Sequence, residues 1–219
     1  MFNYCPPLQI QDLKSETFPD GKRYYVTPDG HKLPSVTTVV GAQKKQSIME
    51  WRARVGEVEA NRISKQATSR GTNVHTICEN YLNNKQDYMS GIMPDAVEFF
   101  LPIKPYLNKI NNIHYQEQAL WSLQLGLAGR VDCIAEYEGE LSVIDFKTSA
   151  RVKKRESVED YFWQTAAYAL MYEELVGKPI DNLVIIMAVK DSTPIIFKEK
   201  TEDHINGLVE AIKYYKALK

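Results

Sequence analysis

Asp145-Phe146-Lys147 sets a carboxylate and an ammonium two residues apart at the end of an apolar run, and in a strand both emerge on the face of Leu141 and Val143. The same spacing occurs at Asp12-Leu13-Lys14 and Asp20-Gly21-Lys22, but those copies sit in a polar segment with no strand around them. Only the third follows a second strand-like run, which carries Gly129-Arg130-Val131-Asp132. Two strands joined by a tight turn bring Asp132 and Asp145 close enough to share one divalent cation, and hard carboxylate oxygens suit Mg²⁺ or Mn²⁺. Such a cation activates water, and Lys147 beside it positions that water or offsets charge building on a phosphorane-like transition state. The plainer alternative makes the aspartates strand-end carboxylates paired with Arg130 and Lys147.

Three further features bear on that choice. Glu117 alternates in phase with Ile113, Tyr115, Ala119 and Trp121, an apolar face on which an ionised group needs a partner such as a metal. His75, with Glu79 one helical turn on, lies beside the Val74, Ile77, Cys78, Tyr81 stripe and projects from the edge of a packed face, as a ligand or as a structural histidine. Gln164 and Tyr168, also one turn apart, fall off the Phe162, Ala166, Ala169 stripe of a later helix, where they could reach a nucleotide.

Periodicity supplies the elements that must position these groups. Residues 23–39 form a hairpin turned by Pro28-Asp29-Gly30. Ile48, Trp51, Val55 and Val58 recur at helical spacing, which puts Trp51 in a core, and the His75 helix begins after a break near Ser69-Arg70-Gly71. A third helix starts near Pro94 and should kink or break around Pro102 and Pro105. Beyond Asn112 the period falls to 2, giving strands over 113–123, 126–136 and 141–148 as an antiparallel meander. A strong helix then runs to Gly177, Leu183 to Val189 is an interior strand apolar on both faces, and a strand over 194–198 precedes a helix bearing Ile205, Leu208, Val209 and Ile212. The class is α/β with a mixed central sheet, and the absence of repeats and linkers makes residues 1–219 one domain.

The net charge of -1 hides an uneven distribution: +4 over residues 1–75, -6 over 76–145 and +1 over 146–219. An acidic centre between basic flanks is what a metal enzyme acting on a polyanion needs, although short windows of solvated charge vary by as much. Lys44, Lys45, Arg52, Arg54, Arg62, Lys65 and Arg70 would line a nucleic-acid path, with Trp51, Tyr81 and Trp163 as stacking faces. Arg151, Lys153, Lys154 and Arg155 hold a phosphate or form a solvated loop. Three scattered cysteines, Cys5, Cys78 and Cys133, argue against a disulfide framework, a zinc ribbon and a four-cysteine iron-sulfur cluster. No run is long enough for a membrane span and no signal peptide opens the chain, so a cytoplasmic location is expected.

In order, Gly71-x-x-x-His75, Gly129-x-x-Asp132, Asp145-x-Lys147 and Gln164-x-x-x-Tyr168 resemble the PD-(D/E)xK nuclease superfamily in its RecB-type branch. Within it, Ser35-Val36-Thr37-Thr38 and Lys147-Thr148-Ser149 look most like the mitochondrial genome maintenance exonucleases and their phage-type relatives, for which a phage protein in a bacterial host is a fitting source. The resemblance implies a restriction-endonuclease-like core at 70–219, with the hairpin and a helical wall for DNA at 1–69. It implies a metal-dependent single-stranded DNA exonuclease cutting near free ends or flaps: His75, Asp132 and Asp145 around the metal, Lys147 as the catalytic lysine, and Ser35 and Thr37 on phosphate; Glu117, from its strand face, is expected to join the catalytic set. Arg52, Arg54, Gln164 and Tyr168 join Ser35 and Thr37 as expected substrate contacts. With no nucleotide-binding helicase motif present, a helicase, polymerase or single-strand-binding protein is an expected partner. A ring-forming double-strand exonuclease of the lambda-exonuclease kind and a catalytically silent nucleic-acid-binding module are the alternatives.

Overall fold

The structure is a computed structural model that describes residues 1–19 and 21–218. Asp20 of the second D-x-K copy therefore lies outside the described residues. A small antiparallel sheet opens the chain, with β1 (Ser15–Thr17), β2 (Arg23–Val26) and β3 (Lys32–Pro34) in that order. The expected hairpin is its β2–β3 half, which ends at Pro34; residues 36–39 of the expected span are helical instead, because Ser35 caps a helix in which Val36, Val39 and Val40 are buried. Three helices follow: α1 (Val36–Val40), α2 (Lys45–Val55) and α3 (Glu57–Leu82). After α4 (Pro94–Leu107) comes the meander of β4 (Ile110–Ser122), β5 (Leu127–Tyr137) and β6 (Glu140–Ser149). Helix α5 (Glu159–Val176) then crosses over to β7 (Asn182–Val189), which pairs parallel to β6. β8 (Ile195–Lys200) adds the far edge antiparallel to β7, and α6 (Glu202–Ala217) ends the described chain. The mixed sheet has the order β4-β5-β6-β7-β8.

Helices cover both faces, and this explains why β7 is apolar on both sides. Leu183, Ile185 and Met187 pack with α1, α5 and α6 through Val36, Phe162, Tyr172 and Leu208. Val184, Ile186 and Ala188 pack with α3 and α4 through Ile77, Leu82, Phe100 and Ile103. Gly177, left-handed at φ 76, caps α5 as expected.

Four expectations yield to tertiary packing. The break comes at Gly56 (φ 84) rather than near Gly71, and α3 runs unbroken for 26 residues. Gly71 costs a helix about 1 kcal/mol, which the complete burial of Val74, Ile77, Cys78 and Leu82 outweighs. Helix α2 buries none of its residues, and Ile48 and Val58 are exposed, so that stripe is not core and Trp51 is only half-buried. The expected break in α4 does not occur: the helix continues through the exposed Pro102 and Pro105, with Phe100, Ile103 and Leu107 anchoring its buried side. The single face expected on β4 is also split, with Ile113 packed beneath α3 and α4 while Tyr115 packs on the opposite side with Tyr172. Asn112 (φ 46), within a register shift, and Glu117 (φ 47) interrupt the alternation.

Candidate active site

Strands β5 and β6 pair from Tyr137↔Glu140 to Cys133↔Ile144, and the ladder stops there. Beyond it the Phe146 backbone has no partner on β5, and two side chains take its place. Its N–H donates to Asp132 Oδ2 at 2.8 Å, and its carbonyl accepts from His75 Nε2 at 2.8 Å. Because a carbonyl only accepts, Nε2 carries the proton, and Nδ1 is left facing Asp132 Oδ2 at 3.5 Å and Glu117 Oε1 at 3.9 Å. Glu117 sits opposite Asp132, between the pairs Gln116↔Cys133 and Gln118↔Val131.

His75, Glu117 and Asp132 offer one ligand atom each, all within 4.8 Å of one another. An imidazole nitrogen and two carboxylates in this arrangement fit a divalent cation, and the Phe146 carbonyl fixes the imidazole tautomer as metal-binding histidines require. Asp145, in the expected ligand set, stands outside this triple, and Glu117 stands within it. The Asp145 carboxylate is 1% exposed and accepts from Lys147 Nζ at 2.8 Å and from Gln164 Nε2 at 3.0 Å through Oδ1. Its Oδ2, 2.6 Å from the same ammonium but out of hydrogen-bonding alignment, is a buried acceptor without a hydrogen bond. Lys147 also lies over the Tyr161 ring.

These groups perturb one another strongly. Burial alone would push His75 down, but Asp132 and Glu117 outweigh it and raise it to about 9. Burial raises Asp145 to about 6, with Asp132 adding to the rise and Lys147 opposing it. Burial would lower Lys147, yet the Asp145 and Asp132 carboxylates hold its ammonium above the ordinary value.

One cavity of about 440 Å³ joins the expected residues, being lined by His75, Glu117, Asp132, Lys147, Gln164 and Tyr168 together with Ser35 and Thr37. Ser35 caps α1, accepting from Thr38 N–H, and bridges to Ala128 of β5, which brings the Ser-x-Thr segment to the rim. Gln164 and Tyr168 are buried rather than set off the packed stripe. Gln164 holds Asp145, and Tyr168 lies so close to Gly129 that a Cβ there would meet its Oη at 2.8 Å. That close approach is the physical reason for glycine in Gly129-x-x-Asp132. Asp132 does not pair with Arg130, which instead reaches Asp12. Arg52 and Arg54 do not line the cavity; Arg52 is tied to Glu57 and Asn61. Thr72 and Thr76 also line the cavity, and their helical spacing around His75 was a usable signal. Arg23 and Tyr25 of β2 line it too, with nothing local in the sequence to mark them.

Among the described residues no helix is long and apolar enough to cross a membrane. The chain is similar to "Mitochondrial genome maintenance exonuclease 1" of Mus musculus, 25% identical over 175 residues that cover 75% of this chain and 52% of the relative. The Homo sapiens protein of that name is 26% identical over 176 residues, covering 74% of this chain and 51% of the relative. The chain thus spans about half the length of the curated relatives it matches. Residues 85–214, holding Glu117, Asp132, Asp145, Lys147, Gln164 and Tyr168 but not His75, match the model of the PD-(D/E)XK nuclease superfamily. On that match, which takes in well over half of the sequence, the chain belongs to the PD-(D/E)XK nuclease superfamily.

Proposed function

We propose that the protein is a divalent-metal-dependent exonuclease that hydrolyses single-stranded DNA near free ends or flaps. The observation that carries this reading is the convergence, in one cavity, of the His75–Glu117–Asp132 ligand triple with Lys147, whose ammonium is held by the buried Asp145 behind the cavity wall. When bound, Mg²⁺ or Mn²⁺ supplies Lewis acidity toward a phosphate oxygen and toward water. His75 Nδ1, Glu117 and Asp132 would hold the cation, and the buried Asp145 holds the Lys147 ammonium beside them. Lys147 orients the attacking water and offsets charge on the phosphorane-like transition state, while Gln164 keeps Asp145 aimed. Ser35 Oγ and Thr37 Oγ1, 3.1 Å apart at the rim, suit a phosphate oxygen.

Single-strand preference is supported by the exposed first half of α3. Residues 61–69 are exposed on all sides, next to Arg52 and Arg54 of α2, which makes a slender basic arm under which a flexible strand passes more readily than a rigid duplex. The deciding experiment compares a linear single strand, a closed single-stranded circle and a blunt duplex, with Mg²⁺ and with Mn²⁺. The linear strand should be degraded fastest and the circle spared. A blunt duplex degraded at least as fast would replace this reading with a ring-forming double-strand exonuclease. Asp145→Ala and Lys147→Ala should each leave less than about a tenth of the rate with the fold intact.

A further inference from the structure

Glu117 is held in an unusual way. It stands in the middle of a 13-residue strand with φ 47, a left-handed conformation that a residue with a side chain keeps only when its surroundings enforce it. Its carbonyl accepts from Nη1 of Arg130, which lies diagonally across the ladder where Ala119 pairs with Arg130. Arg130 is itself braced from the N-terminal segment: Nη2 donates to Asp12 Oδ1 at 2.7 Å and Oδ2 at 3.0 Å, and to the Leu13 carbonyl at 3.4 Å. Leu13 is 3% exposed and packs with Tyr25, Leu33, Ala119 and Ala128, so the brace rests on core.

We infer that Arg130 is a positioning residue that sets the Glu117 carboxylate beside His75 and Asp132 by clamping the Glu117 backbone, with Asp12 and Leu13 as its anchor. The inference rests on the reading of Glu117 as a metal ligand. It gives the segment before β1 a part in the site although that segment contributes no ligand. Arg130 lines the same cavity, which invites the different role of phosphate contact. Both of its terminal nitrogens are already engaged by Glu117, Asp12 and Leu13, however, and a guanidinium committed in this way serves as a strut.

The test measures Mn²⁺ binding to the DNA-free protein by electron paramagnetic resonance, with thermal unfolding as a control and KM for a single-stranded oligonucleotide at saturating Mn²⁺. Arg130→Ala should weaken Mn²⁺ binding about tenfold to a hundredfold, as loss of a group supporting a ligand does. Asp12→Ala, whose side chain is 60% exposed and outside the cavity, keeps the question answerable if Arg130→Ala does not fold. It should weaken Mn²⁺ severalfold without changing KM. In a Glu117→Ala background, Arg130→Ala should cause no further loss of Mn²⁺ affinity. The inference is overturned if Asp12→Ala and Arg130→Ala leave Mn²⁺ affinity within twofold while Glu117→Ala lowers it, or if the Arg130 and Glu117 losses multiply. A rise in KM with unchanged Mn²⁺ affinity would make Arg130 a phosphate contact instead. If Glu117→Ala itself leaves Mn²⁺ binding unchanged, the metal-site reading falls, and the inference with it.

Discussion

Replacing Gly129 by alanine tests whether the motif glycine is demanded by packing. The new Cβ would lie 2.8 Å from Tyr168 Oη, 2.9 Å from Cε1 and 3.3 Å from Cζ. Ordinary carbon contacts begin near 3.5 Å, so the ring must retreat by roughly 0.6 Å. Tyr168 is 2% exposed and part of the core that covers the α5 face of the sheet, so moving the ring disturbs packing on its core side. Overpacking of this kind costs about 1–3 kcal/mol, and alanine returns about 0.4–1 kcal/mol by restricting the unfolded chain, for a net loss of about 1.3 kcal/mol at the midpoints. Urea unfolding followed by circular dichroism, in EDTA so that metal binding does not contribute, reads this directly. In a Tyr168→Ala background the clash is gone and Gly129→Ala should be neutral or slightly stabilising. A Gly129→Ala protein within about 0.5 kcal/mol of wild type, or an equal loss in both backgrounds, would refute the packing account.

Two further outcomes are expected. His75 titrates near 9 in the folded protein against an ordinary 6.5, so its contribution is fully present below 6.5 and is lost as the pH rises through 9. Metal-free protein should lose up to about 3 kcal/mol across that window, and His75→Gln should flatten the slope; the separate Asp145 contribution falls between about 4 and 6. An unchanged slope in His75→Gln would remove His75 as its source. Second, Arg52 and Arg62 are already paired with Glu57 and Glu59, whereas Arg54 and Lys65 have no such pairing among the described residues. Neutralising Arg54 or Lys65 should therefore reduce the salt slope of single-strand binding by about one, and neutralising Arg52 or Arg62 by less. Equal effects at all four positions would dissociate the ion pairs from DNA binding.

The local signals read well where one element decides the outcome. The Asp145-Phe146-Lys147 alternation, the doubly apolar β7 and the tight turn between β5 and β6 all appear where the sequence puts them. They fail where distant packing wins, as when the buried stripe on α3 overrides Gly71 and the anchored face of α4 overrides two prolines. The ligand triple was legible as residue types but not as a set. Glu117 joins His75 and Asp132 because its backbone turns left-handed, and that turn depends on a contact between residues 12 and 130 that no window of sequence contains. The Asp12-Leu13-Lys14 copy, set aside for lacking a strand, thus supplies the anchor of the site.

The end of the β5–β6 ladder has a consequence for how such sequences should be judged. His75 and Asp132 close the two hydrogen-bonding groups of Phe146, so they belong to the architecture of the sheet as much as to the chemistry. A descendant that had abandoned nuclease activity would still be penalised for losing either one, because a backbone group would be left bare. The Asp145–Lys147 pair lies under the opposite pressure: burying the carboxylate costs free energy, and relaxing the pair to neutral residues would relieve it. Retention of His75 and Asp132 is therefore weak testimony to a working enzyme, and retention of Asp145 with Lys147 is the stronger sign that selection for hydrolysis persists.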